Sequence, residues 1–224
     1  MASTQIKICG IRDPETALFA AKSGADFVGM VFHPTSVRNI DITQAEEIAA
    51  AAKEGGAKPV AVFVNINADQ ILRICQIARV NIVQLHGNIS RQQHHLLPPS
   101  FHRIYVQIVD EHGNIQNDTD NGLNYLNVER DYLLFDNVHA GSGKTFNWTN
   151  FVYKGTMPWF FSGGLTIENV ADAIEKFHPT VVDVSSGVEK APGEKDQYLI
   201  DQFIQKIKKM PFTHYCASGN DISE

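Results

Sequence analysis

The chain lacks most of the features that mark metal, disulfide, membrane or nucleic-acid chemistry. It has only three cysteines in 224 residues, Cys9, Cys75 and Cys216. Their number is odd, their spacings are long and no C-x-x-C pair occurs, so neither a disulfide framework nor a zinc ribbon is indicated. No H-E-x-x-H run is present, and the adjacent His94 and His95 are not spaced as two ligands on one helix face. No metal site is expected. Basic residues are outnumbered, giving a formal net charge of −6, which argues against a nucleic-acid partner but not against a small anion held by local donors. No apolar run reaches the roughly 20 residues of a membrane span, and the first ten residues have no signal-peptide core. No proline- or glycine-rich linker divides the chain. These absences predict a soluble, cytoplasmic protein with one domain over residues 1–211 and a polar, fraying tail over 212–224.

What is present is ordinary globular composition, 43% hydrophobic and 20% charged. A single body of this length buries roughly 70–75% of the surface of its unfolded chain, so it needs no covalent staple. Short apolar or β-branched runs recur near 5–9, 26–31, 59–64, 81–85, 103–108, 131–136, 158–162 and 180–184. Most are nearly continuous, as parallel strands buried on both faces require. Helical periodicity fills the intervals near 14–24, 43–55, 67–78, 90–97, 118–128, 147–154 and 166–175, with a last helix near 194–209.

Capping chemistry supports several starts: Asp13 before Pro14, a Thr43-x-x-Glu46 box and a weaker Thr166-x-x-Asn169 box. Gly24 and Gly55 sit where helices should stop. Eight strands, each followed by a helix, predict a single closed (β/α)8 TIM barrel. A doubly wound open sheet is the competing arrangement, but nothing resembles a dinucleotide crossover.

Barrel chemistry is carried by the C-terminal ends of the strands and the loops after them. Strand 1 ends in Lys7-Ile8-Cys9-Gly10, placing a thiol at the mouth, where nearby cations would lower its pKa and make it a base or nucleophile. A buried structural cysteine is the alternative. Strand 6 ends in Leu133-Leu134-Phe135-Asp136. A carboxyl there is a general acid if its surroundings raise its pKa, or else a cap for the next segment. Strand 7 ends in Ser162-Gly163-Gly164 and strand 8 in Asp183-Val184-Ser185-Ser186-Gly187. Glycine-bearing loops after strands 7 and 8 are where such barrels hold phosphate. Arg38, after strand 2, can fork a carboxylate, and His86, ending strand 4, can polarise a ligand or serve structure. Gly141-Ser142-Gly143-Lys144-Thr145 is not a P-loop, because Val138 stands where its first glycine must be. It is expected to form a mobile loop over the mouth, spanning 140–145.

Several of these segments, in order, resemble the phosphoribosylanthranilate isomerase family. They are Lys7-Ile8-Cys9-Gly10-Ile11, Val62-Phe63-Val64-Asn65, Gln84-Leu85-His86-Gly87, the Gly141–Phe146 loop with Trp148, Ser162-Gly163-Gly164-Leu165, and Asp183-Val184-Ser185-Ser186-Gly187-Val188-Glu189 with Pro192-Gly193. The likeness runs over about residues 5 to 209. It implies an Amadori rearrangement of N-(5-phosphoribosyl)anthranilate in tryptophan biosynthesis, with Cys9 as base and Asp136 as acid. It further implies that Arg38 holds the anthranilate carboxylate, and that Gly163, Gly164, Ser185, Ser186 and Gly187 hold the phosphate. Asp183 and His86 would line the site. The substrate's own nitrogen is the electron sink, so no cofactor is expected.

The implied partner is this phosphosugar-anthranilate alone, with no nucleic acid and no membrane, for a monomer or homodimer. The chain departs from the family pattern at Ala140-Gly141-Ser142-Gly143, at Asn147 before Trp148, and at Gln107 near the end of strand 5. A related histidine-pathway isomerase would carry aspartate rather than Cys9 at the end of strand 1, and a non-catalytic phosphosugar-binding barrel would not need both Cys9 and Asp136.

Overall fold

The computed structural model describes residues 3–116, 122–137 and 145–210. Eight parallel strands close into a barrel in chain order. They are β1 (Gln5–Cys9), β2 (Phe27–Phe32), β3 (Lys58–Val64), β4 (Ile82–His86), β5 (His102–Val109), β6 (Tyr132–Asn137), β7 (Trp159–Phe161) and β8 (Val181–Val184). The ring closes between β1 and β8, where Lys7 lies opposite Asp183 and Ile8 opposite Val184. Each strand ends within about one residue of its apolar run, because a strand buried on both faces has no polar alternation to blur its limits.

Alternation along each strand divides the side chains into two cores. Phe27, Val60, Ile82, Ile104, Leu134, Phe160 and Val181 pack against one another inside the barrel. Ile6, Ile8, Val28, Phe63, Leu85, Phe135 and Val182 face outward, onto the helices. The helices are α1 (Pro14–Ser23), α2 (Ile42–Glu54), α3 (Ala68–Ala78), α4 (Gly87–Gln92), α5 (Val170–Phe177) and α6 (Gln197–Lys208). A small antiparallel hairpin, β9 (Glu189–Ala191) with β10 (Glu194–Lys195), precedes α6.

The caps arise from local chemistry. The Asp13 carboxylate accepts from Thr16 N at 2.7 Å, with Pro14 at the first helical position. Gly24 ends α1 at φ 114°, and its N–H bonds to the carbonyls of Ala20 and Ala21. The box at α2 is Asp41 with Gln44, not Thr43 with Glu46: Gln44 N donates to Asp41, and Asp41 N donates back to Gln44. Asp41 wins because it stands one residue before the helix in an extended conformation, whereas Thr43 is already helical. Half of the Thr166 box forms, since Thr166 N donates to the Asn169 side chain at 2.8 Å. The α-helix proper begins only at Val170.

Three expected helices differ. The one near 90–97 starts earlier, at Gly87, and breaks after Gln92 into a 3-10 turn over His94–Leu96. Of 118–128, the described part begins at residue 122, and there only Gly122–Tyr125 forms a short 3-10 turn. Between β6 and β7, residues 147–154 contain a turn and no helix. Asn147 accepts from Thr149 N at 2.8 Å, a local side-chain bond that competes with the helical pattern. Aromatic packing replaces the helix: Phe146, Phe151 and Trp148 stack edge-on or tilted against Phe161, and Phe161 lies flat on Phe177 at 5.0 Å. An irregular segment can bury that much area because each ring delivers it without a repeating backbone. The glycine loop at 140–145, apart from Thr145, and the expected tail at 212–224 lie outside the described residues.

Candidate active site

Strand direction brings the C-terminal ends of β1, β4, β6, β7 and β8 to one mouth, where a cavity of about 440 Å³ opens. Cys9, Arg38, His86, Asp136, Gly164, Asp183, Ser185 and Ser186 all line it. A second cavity, of about 370 Å³, opens at the opposite end around Phe27, Lys58 and Tyr132, and no expected site residue reaches it. Among the described residues no group of three or more His, Cys, Asp or Glu side chains is placed to hold a metal ion. No helix among them is long and apolar enough to cross a membrane.

Asp136 is buried at the end of β6 and accepts from Asn137 N at 2.9 Å. Burial first, and then the charge of Asp183, push its carboxyl up from 3.8 to about 7, against the opposing pull of Asn137 N–H, Lys7 and Ser162. A carboxyl that keeps its proton near neutrality can donate it. Gly163 stands beside it: its φ of +92° suits glycine, and a Cβ there would lie 3.2 Å from Asp136 Oδ1.

Cys9 behaves otherwise than its position suggested. Burial raises its thiol above the ordinary value, and Asp183 adds to that, while Lys7 and Lys195 pull it down without prevailing. A strand end inside a barrel is drier than an open helix terminus, so desolvation outweighs two neighbouring cations. Its β2 neighbour in the register is Gly29, whose missing side chain makes the room: a Cβ there would be 2.7 Å from Cys9 Sγ.

Arg38 reaches the cavity but already holds a carboxylate of this chain. Its Nε and one terminal nitrogen donate to the two oxygens of Glu189 at 2.7 and 2.9 Å. Lys195 Nζ bonds the same carboxylate at 2.8 Å and also Ser185 O at 2.8 Å. Burial alone would raise Glu189, but these cations bring its carboxyl down to about 2. The β9–β10 hairpin thus clamps the arginine and the loop after β8 together. Gly10 completes the fit, since a Cβ there would sit 2.5 Å from Arg38 Cδ.

The loops after β7 and β8 meet closely. Gly164 lines the cavity at φ +70° beside Gly163, and the Asn169 side chain holds its carbonyl at 3.0 Å. Gly187 does not line the cavity: a Cβ there would collide with Leu165 O, so this glycine lets loop 8 lie on loop 7. Ser185 Oγ donates to Cys9 O at 3.0 Å, tying loop 8 to β1.

The structure adds Lys7, Gln84, Glu189, Lys195, Gly10 and Gly29 to the surroundings of this cavity. A polar signal was visible for Lys7 and Gln84, since each interrupts an apolar strand and shares its face with Cys9 or His86 at period two. Glu189 and Lys195 carried no such signal, because their role depends on a hairpin folding back over the mouth.

A closed parallel (β/α)8 barrel sets a thiol and a raised carboxyl in one cavity beside two glycine-bearing loops, an arrangement able to exchange protons with a small ligand. The family model for N-(5'phosphoribosyl)anthranilate (PRA) isomerase matches residues 6–206. The chain is 38% identical over 216 residues to the N-(5'-phosphoribosyl)anthranilate isomerase of Neisseria meningitidis, covering 94% of this chain and 99% of that one. It is 36% identical over 214 residues to the chloroplastic N-(5'-phosphoribosyl)anthranilate isomerase 1 of Arabidopsis thaliana, covering 94% and 76%. A crystal structure of phosphoribosyl anthranilate isomerase in complex with reduced 1-(o-carboxyphenylamino)-1-deoxyribulose 5-phosphate superposes with a TM-score of 0.72 at 35% identity, over 92% of this chain and all of that one. This chain belongs to the phosphoribosylanthranilate isomerase family.

Proposed function

We propose that the chain isomerises N-(5'-phosphoribosyl)anthranilate to 1-(o-carboxyphenylamino)-1-deoxyribulose 5-phosphate, a step of tryptophan biosynthesis, with Asp136 as acid and Cys9 as base. The observation that carries the assignment of roles is their pairing in one cavity with Asp136 held near pKa 7. Asp136 gives its proton to the furanose ring oxygen as the C1–O bond breaks, and the anilino nitrogen lone pair forms the C1 iminium. The iminium acidifies C2–H. Cys9, in the thiolate fraction that Lys7 and Lys195 sustain against burial, takes that proton, and the electron pair of the C–H bond forms the C1–C2 double bond while the iminium electrons return to nitrogen. Ketonisation at C2, with protonation at C1, completes the rearrangement. The nitrogen is the electron sink throughout, so these steps call on no cofactor.

Arg38 takes the anthranilate carboxylate in this reading. Gly164, Ser185 and Ser186 take the phosphate, with Gly163 and Gly187 shaping their loops, and His86 and Asp183 face the sugar. A cytoplasmic location and a monomeric or homodimeric state belong to the same proposal, to be checked by cell fractionation and light scattering. The direct test is fluorescence-monitored conversion of N-(5'-phosphoribosyl)anthranilate by purified protein, with chelator present and Cys9→Ser alongside. Turnover that resists the chelator and collapses in the variant supports substrate and base together. A folded wild type with no turnover refutes the substrate.

A further inference from the structure

At the centre of the barrel lies a fully buried ammonium that the mechanism above does not use. Lys7 Nζ donates to Gln84 Oε1 at 2.5 Å and to Asp183 Oδ2 at 2.8 Å. Gln84 Nε2 in turn lies 2.8 Å from His86 Nε2. An ammonium has donors only, so the amide must turn its carbonyl oxygen toward Lys7 and its NH2 toward the histidine. The ring nitrogen that receives that N–H must be bare. His86 is therefore neutral with its proton on Nδ1, leaving Nδ1–H as the ring's donor on a residue that lines the cavity. An imidazolium would set two donors face to face.

Lys7 also flanks the thiol. Residues 7 and 9 share the inner face of β1, and a Cβ on Gly29 would meet Cys9 Sγ at 2.7 Å and Lys7 Cε at 3.1 Å. The two side chains border the same gap. A buried ion pair adds little stability over apolar filling of the same volume, so the pairing of Lys7 with Asp183 is a weak reason by itself for an ammonium here. Its reach toward two groups of the cavity is a stronger one.

We propose that Lys7 is a positioning residue for this site: through Gln84 it locks His86 as a neutral Nδ1–H donor toward a sugar oxygen, and directly it stabilises the Cys9 thiolate. This rests on the isomerase reading for its substrate but not for its geometry. The pKa directions agree. Burial, then Lys7, Arg91 and His33, lower His86 to about 3, and Lys7 is a leading influence pulling Cys9 down. The other ionisable groups acting on Cys9 are Asp183 and Lys195, and Cys9 in turn acts on the Arg38 guanidinium.

The test uses full-length protein as wild type, Lys7→Met and Gln84→Met, each checked for folding by circular dichroism. Three quantities are read: the pH midpoint of Cys9 alkylation by iodoacetamide, followed on its own peptide by mass spectrometry; the 15N shifts of His86; and turnover of N-(5'-phosphoribosyl)anthranilate against pH. Lys7→Met is expected to raise the alkylation midpoint by about one pH unit or more. Turnover near neutrality then falls about tenfold, recovers in part at higher pH, and His86 leaves its single tautomer. Gln84→Met is expected to release the His86 tautomer and to leave the alkylation midpoint nearly unchanged. A folded Lys7→Met with the wild-type midpoint and the wild-type His86 shifts overturns the proposal. Should Lys7→Met not fold, an unchanged His86 tautomer in Gln84→Met overturns it. A wild type that turns over no substrate would sink the isomerase reading while leaving the alkylation and NMR results to decide the role of Lys7.

Discussion

Asp136→Asn should make the protein more stable and nearly inactive. Its carboxyl rises from 3.8 in an ordinary setting to about 7 here, through burial and the Asp183 charge. Below about pH 4 it is protonated in the folded and the unfolded chain alike, and the variant gains nothing. From about pH 4 to 7 the unfolded chain releases this proton while the folded chain keeps it, so wild-type stability falls with rising pH. Above about pH 7 both are ionised and the loss is complete. A gap of about three pH units, at about 1.4 kcal/mol each, sets a ceiling of about 4 kcal/mol. Coupling to Asp183 and relaxation around an ionised carboxylate lower this, so a gain of about 1–3 kcal/mol at pH 8 is expected, vanishing near pH 4. The amide oxygen of the variant keeps the bond from Asn137 N. Urea unfolding of both proteins from pH 4 to pH 9, with turnover in parallel, measures it. A variant that is less stable at pH 8, or a difference that does not change with pH, would refute the argument that burial holds this proton in place.

The same geometry has other consequences. Cys9→Ala should lose about 10²–10⁴-fold in kcat while binding reduced product as wild type does, by calorimetry; near-normal turnover would remove Cys9 from the proton transfer. Glu189→Gln should loosen Arg38 and raise KM several-fold with a much smaller change in kcat, and an unaltered KM would mean that the clamp does not matter for the aromatic acid. Gly29→Ala places a methyl 2.7 Å from Cys9 Sγ and 3.1 Å from the Cys9 Cα. It should cost about 1–3 kcal/mol by overpacking and reduce turnover at least tenfold (order of magnitude) by displacing the thiol, as thermal unfolding and kinetics would report; full activity would show that the thiol can move without loss.

Much of this was readable from the amino-acid order alone. The eight barrel strands announce themselves because strands buried on both faces must be apolar nearly throughout, and Cys9, Asp136, Gly164 and Ser185 are found by asking which polar or glycine residues close each such run. The α1 start is equally local, since Asp13 and Pro14 act within one turn. Local logic fails where a long-range partner decides. The stretch after β6 is not helical because, besides the local Asn147 bond, its Phe151 ring packs on Phe135, Trp159 and Phe161 of β6 and β7, which only barrel closure sets beside it. The sign of the Cys9 shift depends on how dry the barrel interior is, which no spacing encodes. Arg38 meets Glu189, 151 positions away, and Lys7 meets Asp183, 176 positions away. Hydrophobic periodicity and turn chemistry act over a few residues, so the repeated βα pattern and the strand ends that carry a thiol, a carboxyl and glycines follow from amino-acid order. Which charges face one another, how far each is desolvated and therefore which group keeps its proton depend on barrel closure, which brings remote residues within a few ångström.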